Sequence, residues 1–135
     1  MTKVLVLGLS KSGIAAAKFL NRHGYDVYLT ESKNVEPDVE LEKLGIKIET
    51  GGHSLKFVDG AEFAVTSPGI PPHSIIIELL RLKNIPVISE LELAYRMSET
   101  PFVAITGTNG KTTTTALTAH IFDKKFRKYL IFSQK

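Results

Sequence analysis

The stretch Thr106-Gly107-Thr108-Asn109-Gly110-Lys111-Thr112-Thr113 carries the residue types that handle phosphate, and it follows the apolar run Phe102-Val103-Ala104-Ile105. An apolar strand, a glycine loop, a lysine and a hydroxyl, in that order, present backbone N–H groups to a phosphate chain. Gly107 and Gly110 allow backbone angles closed to other residues, together with close approach to a ligand. Lys111 would reach the terminal phosphates, and the Thr112 hydroxyl would sit on the Mg2+ ion they carry. The spacing is shorter than the usual phosphate loop, because Ile105 stands where that pattern has its first glycine. The competing reading is a plain Gly-Asn turn with Thr112 as a helix N-cap. A turn, however, needs neither the lysine nor the second hydroxyl.

A second loop of this kind lies near the start. Gly8-Leu9-Ser10-Lys11-Ser12-Gly13 is the dinucleotide fingerprint with its middle glycine replaced by Ser10. Glu31, closing the next apolar run, stands where an acidic residue would hold a ribose. Alone, the first loop is also compatible with a tight strand–helix turn. His23, His53, His73 and His120 are scattered without metal-ligand spacing and read as surface or loop residues. Glu90 and Glu92 lie near the domain junction, where a solvated helix start explains them as well as any catalytic role.

The elements that must position these loops alternate. Lys3–Gly8 reads as a buried parallel strand. A helix follows from Ile14 to about His23, then a strand over Asp26–Thr30 that ends at Glu31-Ser32. A helix over Val39–Leu44 and an edge strand over Ile46–Thr50 come next. A strand over Glu62–Thr66 stops at the rigid turn Ser67-Pro68-Gly69-Ile70-Pro71-Pro72. A helix over His73–Lys83, a short strand at Pro86–Ile88 and a connecting helix over Glu90–Met97 complete the first unit. Strand and helix in alternation predict an α/β fold, a Rossmann-like parallel sheet with helices on both faces. Its domain is expected over 1–93, with ligands at the carboxyl ends of the strands. Residues 94–135 would hold a connector, then the first strand, phosphate loop and helix of a truncated second α/β domain.

Composition narrows the function classes. The 135 residues suffice for one ordinary core. With no cysteine there is neither a disulfide framework nor a thiolate metal site, which favours the cytoplasm. No apolar run is long enough for a membrane span, and Val4–Leu7 is too short for a signal peptide. The formal charge of +3 is misleading, since five cations follow Asp123 and residues 1–123 stand at −2. The body therefore lacks a nucleic-acid footprint, and neither nucleic acid nor a membrane is expected as partner. Phe126, Tyr129, Leu130 and Phe132 among the tail cations leave an amphipathic membrane-surface segment as a minor alternative.

With VLVLGLSKSG, SPGI, SELELAY and AITGTNGKTTTT in hand, the chain resembles the Mur ligase family over residues 3 to about 122. The resemblance implies an ATP-dependent amide ligase of peptidoglycan precursor synthesis, cytoplasmic and monomeric. Its substrates would be UDP-N-acetylmuramoyl-L-alanine and D-glutamate. It further implies that Ser10, Lys11, Ser12, Gly13, Glu31, Ser32 and Gly69 contact the uridine nucleotide. Gly107, Thr108, Asn109, Gly110, Lys111, Thr112 and Thr113 would wrap the triphosphate, with Lys111 catalytic and Thr112 on the metal. Relatives often have aspartate where this chain has Glu31, one methylene longer. The family pattern is expected to end near Asp123, leaving a fragment inactive by itself. Val103-Ala104-Ile105 would then lack parallel neighbours, and 100–135 would be marginal. Two other readings stay open: an NAD-binding Rossmann oxidoreductase, and a non-catalytic nucleotide-binding module.

Overall fold

The computed structural model describes residues 1–125 and 130–133. The chain divides into two compact units, Met1–Leu93 and Ala94–Lys135.

In the first unit, β1 (Lys3–Leu7), β2 (Asp26–Glu31), β3 (Lys47–Thr50), β4 (Phe63–Thr66) and β5 (Val87–Ser89) form one parallel sheet of order β3-β2-β1-β4-β5. Strand β1 is central because it is apolar on both faces, and Val4, Leu5, Val6 and Leu7 are all buried. Its register sets Leu5 beside Tyr28 and Ala64, and Val6 beside Leu29 and Val65. Side chains alternate across a strand, so those two rows cover opposite faces. On one face Leu5, Leu7 and Ala64 pack with Val58, Ile76 and Leu80, which come from α3 (Leu55–Val58) and α4 (Ile75–Leu82). On the other, α1 (Lys11–Arg22) lies across β1, β2 and β4 and buries Ala16, Ala17 and Leu20. The short α2 (Val39–Lys43) adds Leu41.

The sheet extends to the start of the chain. The Asp26 amide donates to the Thr2 carbonyl at 2.9 Å, and Lys3 Nζ donates to the carbonyls of Lys56 and Asp59.

Several boundaries differ from expectation. Helix α1 begins at Lys11 rather than Ile14, because the Ser10 hydroxyl accepts from the Gly13 amide at 3.1 Å and caps it. This places Lys11, Ser12 and Gly13 on the helix, not in a loop. Gly13 is required there: a Cβ would stand 2.2 Å from the Gly8 carbonyl oxygen. Helix α4 starts two residues later than the sequence pattern suggests, and the four-residue α3 was not anticipated.

The second unit holds the end of α5 (Glu90–Arg96), β6 (Phe102–Ile105), α6 (Lys111–Lys125) and β7 (Leu130–Ser133). Contrary to expectation, β6 has a parallel neighbour: Phe102 pairs with Leu130 and Ile105 with Ser133. Strand, helix and parallel strand make a βαβ unit, with α6 as the crossover. The Tyr95 and Phe102 rings meet edge to face at 5.5 Å. Phe126, Arg127, Lys128, Tyr129, Gln134 and Lys135, which carry most of the basic tail and part of the proposed membrane-surface segment, lie outside the described residues.

Candidate functional site

A cavity of about 590 Å3 opens at the carboxyl ends of β1, β2 and β4. It lies where the strand order reverses between β1 and β4, the place at which open α/β sheets take ligands. The loop after β1 contributes Gly8 and Ser10, the end of β2 contributes Glu31 and Ser32, and the turn after β4 contributes Ser67 and Gly69. Ser12 also lines it. Lys11, exposed on the first turn of α1, and Gly13, buried beneath Gly8, do not. Gly8 takes φ +94, which turns the chain sharply out of β1.

A hydrogen-bonded series joins the rims. Ser67 Oγ donates to Glu90 Oε1 at 2.6 Å and lies 3.0 Å from Ser10 Oγ. A hydroxyl has one proton to give. With the Ser67 hydroxyl donating to Glu90, Ser10 is the donor in its contact with Ser67 while it accepts from the Gly13 amide, and Ser12 Oγ lies further off at 3.2 Å. Glu90 is therefore no solvated helix start: its carboxylate is engaged 23 residues away in sequence.

Glu31 turns its carboxylate to the neighbouring backbone. Oε2 accepts from the Leu9 amide at 3.0 Å; Oε1 accepts from the Lys33 amide at 2.9 Å and the Ser32 hydroxyl at 3.1 Å. Burial pushes the carboxyl upward, but these donors and the Lys33 charge outweigh it and hold Glu31 below its ordinary value. Three of roughly four lone-pair sites are engaged, which fixes the β1 loop to the end of β2.

Behind it, the fully buried Thr30 hydroxyl lies 2.8 Å from His53 Nδ1, and 3.1 Å from both Glu49 Oε1 and the Gly52 carbonyl. His53 lines the cavity. Burial pushes its imidazole below the ordinary histidine value, with the Glu49 and Glu31 charges pulling partly back. Sequence spacing gave no sign of His53, since its partners come from β2 and β3. Ser74 Oγ, on the same cavity wall, is enclosed and finds no partner among the described residues.

In the second unit, residues 106–110 run from β6 into α6. Gly110 takes φ +75 and its carbonyl accepts from the Thr114 amide at 2.9 Å, so Gly110 rather than Thr112 precedes the helix. The amides of Lys111, Thr112 and Thr113 then have no acceptor inside α6, and such first-turn amides suit an anion. Lys111 Nζ folds over its own loop onto the Gly107 carbonyl, with the Thr108 carbonyl at 3.5 Å. Thr112 is exposed on the first turn. Cation, first-turn amides and exposed hydroxyl together fit a nucleotide triphosphate with its metal. Among the described residues, no cluster of His, Asp or Glu could hold a metal unaided. No described helix is long and apolar enough to cross a membrane.

The chain is similar to known proteins. Residues 2–89 match the family model of the Mur ligase MurD-like N-terminal domain, and residues 105–135 match that of the Mur ligase middle domain. Contrary to the expectation that the family pattern ends near Asp123, the second match runs on to residue 135 and includes β7. The chain is 46% identical over 132 residues to a UDP-N-acetylmuramoylalanine--D-glutamate ligase of Shouchella clausii, covering 96% of this chain and 29% of that protein. It is 48% identical over 124 residues to a ligase of the same name from Streptococcus pneumoniae, covering 88% of this chain and 27% of that one. The chain thus spans under a third of the curated relatives it matches. Among solved structures, a pseudomurein peptide ligase type C from Methanothermus fervidus superposes with TM-score 0.64 at 26% identity, covering 92% of this chain and 26% of that one. A UDP-N-acetylmuramate-alanine ligase from Thermotoga maritima gives 0.59 at 28%, covering 91% and 29%.

Proposed function

The chain belongs to the Mur ligase family, and from that premise we propose that it supplies the nucleotide-holding part of an ATP-dependent amide ligase joining D-glutamate to UDP-N-acetylmuramoyl-L-alanine. The observation that carries this reading is the cavity at the β1–β4 switch point, walled by Ser10, Glu31, Ser32 and Gly69 from three separate loops. It is large enough for part of a nucleotide, and the capped start of α1 suits a diphosphate.

Each residue then has a task. Ser10, Ser12 and the first amides of α1 take the diphosphate of the UDP precursor, with Lys11 nearby as an exposed cation. Glu31 and Ser32 face the uridine, with Gly69 beside it. Gly13 serves by letting α1 approach Gly8. In the second unit Gly107, Thr108, Asn109 and Gly110 shape the cradle, and Thr112 and Thr113 line its helical end. Thr112 would hold Mg2+, and Lys111 would leave its loop carbonyls for the phosphates. When bound, ATP–Mg2+ supplies the phosphoryl group that makes the precursor carboxylate open to attack by the D-glutamate amine. Lys111 would stabilise charge that grows during transfer, the kind of contribution worth about 2.7–4 kcal/mol per well-aimed donor. In this reading the protein acts in the cytoplasm as a monomer, and Met1–Leu93 and Ala94–Lys135 correspond to the precursor domain and the start of the ATP domain.

Calorimetric titration of the chain with UDP-N-acetylmuramoyl-L-alanine, NAD and ATP–Mg2+ in separate runs tests it. Binding of the UDP precursor and of ATP, without NAD, is the expected result. NAD binding without UDP binding would overturn it in favour of an oxidoreductase. UDP binding without ATP binding would leave only a non-catalytic module.

A further inference from the structure

We propose that Glu90 is a positioning residue for the nucleotide cavity. By accepting the Ser67 hydroxyl's hydrogen bond, it fixes the direction of the Ser10–Ser67 contact and so sets the spacing of the loops after β1 and β4. The inference rests on the reading of that cavity as the UDP-precursor site.

The geometry runs in one direction. Glu90, half-buried at the first position of α5, accepts from Ser67 Oγ at 2.6 Å, a short, charge-assisted bond. Ser67 is 7% exposed, so its hydroxyl has little water to turn to. It lies 3.0 Å from Ser10 Oγ, and Ser10 in turn caps the Gly13 amide at 3.1 Å. Four groups from α5, the β4 turn, the β1 loop and α1 are thus polarised in series, an arrangement in which each bond strengthens the next. Without the Glu90 acceptor, Ser67 can donate to Ser10 instead. The series then loses its fixed polarity, and the contact between the two rims of the cavity is no longer held in one direction. Nothing else among the described contacts joins the β4 turn to Ser10.

Glu90 has a second possible employment, because a carboxylate at a helix start also interacts favourably with the helix dipole. Substitution separates the two. Glu90→Gln keeps an oxygen acceptor at the same reach and removes the charge; Glu90→Asp keeps the charge and falls one methylene short; Glu90→Ala removes both.

The experiment is calorimetric titration of the chain with UDP-N-acetylmuramoyl-L-alanine, with each variant's melting temperature followed by circular dichroism and titrations run well below it. Glu90→Ala and Glu90→Asp are expected to weaken binding by about tenfold, and Glu90→Gln to restore it to within about threefold of wild type. Ser67→Ala should weaken binding to a similar extent, and the Glu90→Ala/Ser67→Ala double variant no further than either alone. Wild-type affinity in Glu90→Ala would overturn the proposal, as would Glu90→Gln binding no better than Glu90→Ala. Failure of the wild-type chain itself to bind the precursor would overturn the assignment of the cavity and this inference with it; an unchanged Glu90→Ala overturns this inference alone.

Discussion

Gly13 lies so close beneath Gly8 that a Cβ on it would stand 2.2 Å from the Gly8 carbonyl oxygen. The obstacle is backbone, with no flexible side chain to move aside. Gly13→Ala must therefore push α1 off β1 or twist the loop that bears Ser10. The expected cost is about 1–3 kcal/mol, typical of overpacking, read as a lower urea midpoint with unchanged slope. Gly24→Ala provides the contrast: its Cβ would meet nothing within 4 Å, but its φ of +83 strains any other residue, so its loss comes from backbone angle alone.

Among the described residues, the Lys111 ammonium hydrogen-bonds to its own loop, through the Gly107 and Thr108 carbonyls. Lys111→Ala should accordingly leave the melting temperature nearly unchanged. ATP–Mg2+ affinity should fall by roughly 10–100-fold, the range for hydrogen bonds to charged groups. Titration calorimetry with the circular dichroism melt measures both. A melt lowered in step with affinity would assign Lys111 to structure instead of phosphate.

Two groups at the first cavity make stability depend on pH, in separate windows. Glu31 is held below its ordinary value of 4.5, so the stability it adds is present above that pH and is lost as pH falls through its folded value. His53 is held below its ordinary value of 6.5; the unfolded chain takes up the proton first, so stability is lost as pH falls from about that value. Urea midpoints from pH 8 to 3 should therefore decline in two stages. Glu31→Gln should flatten the stage below 4.5, and His53→Gln the stage beginning near 6.5.

Helix α6 leaves Leu117 and Ile121 more than half exposed, whereas the first unit buries a continuous core around β1. Limited proteolysis should thus leave a resistant fragment ending near Leu93, with cuts first in 94–125, as read by mass spectrometry. Protection of the second unit equal to that of the first would refute the expectation.

What the sequence disclosed follows from where the information sits. Val4–Leu7 announces itself as a central strand because each of its residues is apolar, and the glycine-bearing loops at 8–13 and 106–110 stand out by composition. The start of α1 was misjudged because Ser10 looked like a substituted glycine of a fingerprint, when its hydroxyl is the cap. Glu90 and His53 were passed over because each acquires its partner from distant chain, Ser67 in one case and Thr30 in the other. Strand β7 was missed for the same reason: parallel pairing of Phe102 with Leu130 leaves no mark on either segment alone. Local pattern reports which residues seek burial, and topology decides whom they meet.

The hydrogen bond from Asp26 to the Thr2 carbonyl has a practical bearing on anyone handling this polypeptide. Met1 is 96% exposed, so a purification handle fused ahead of it meets open solvent. One residue further in, the margin is gone. Trimming past Thr2 would unzip the middle strand from its end and take away the Lys3 ammonium that clasps the Lys56 and Asp59 carbonyls.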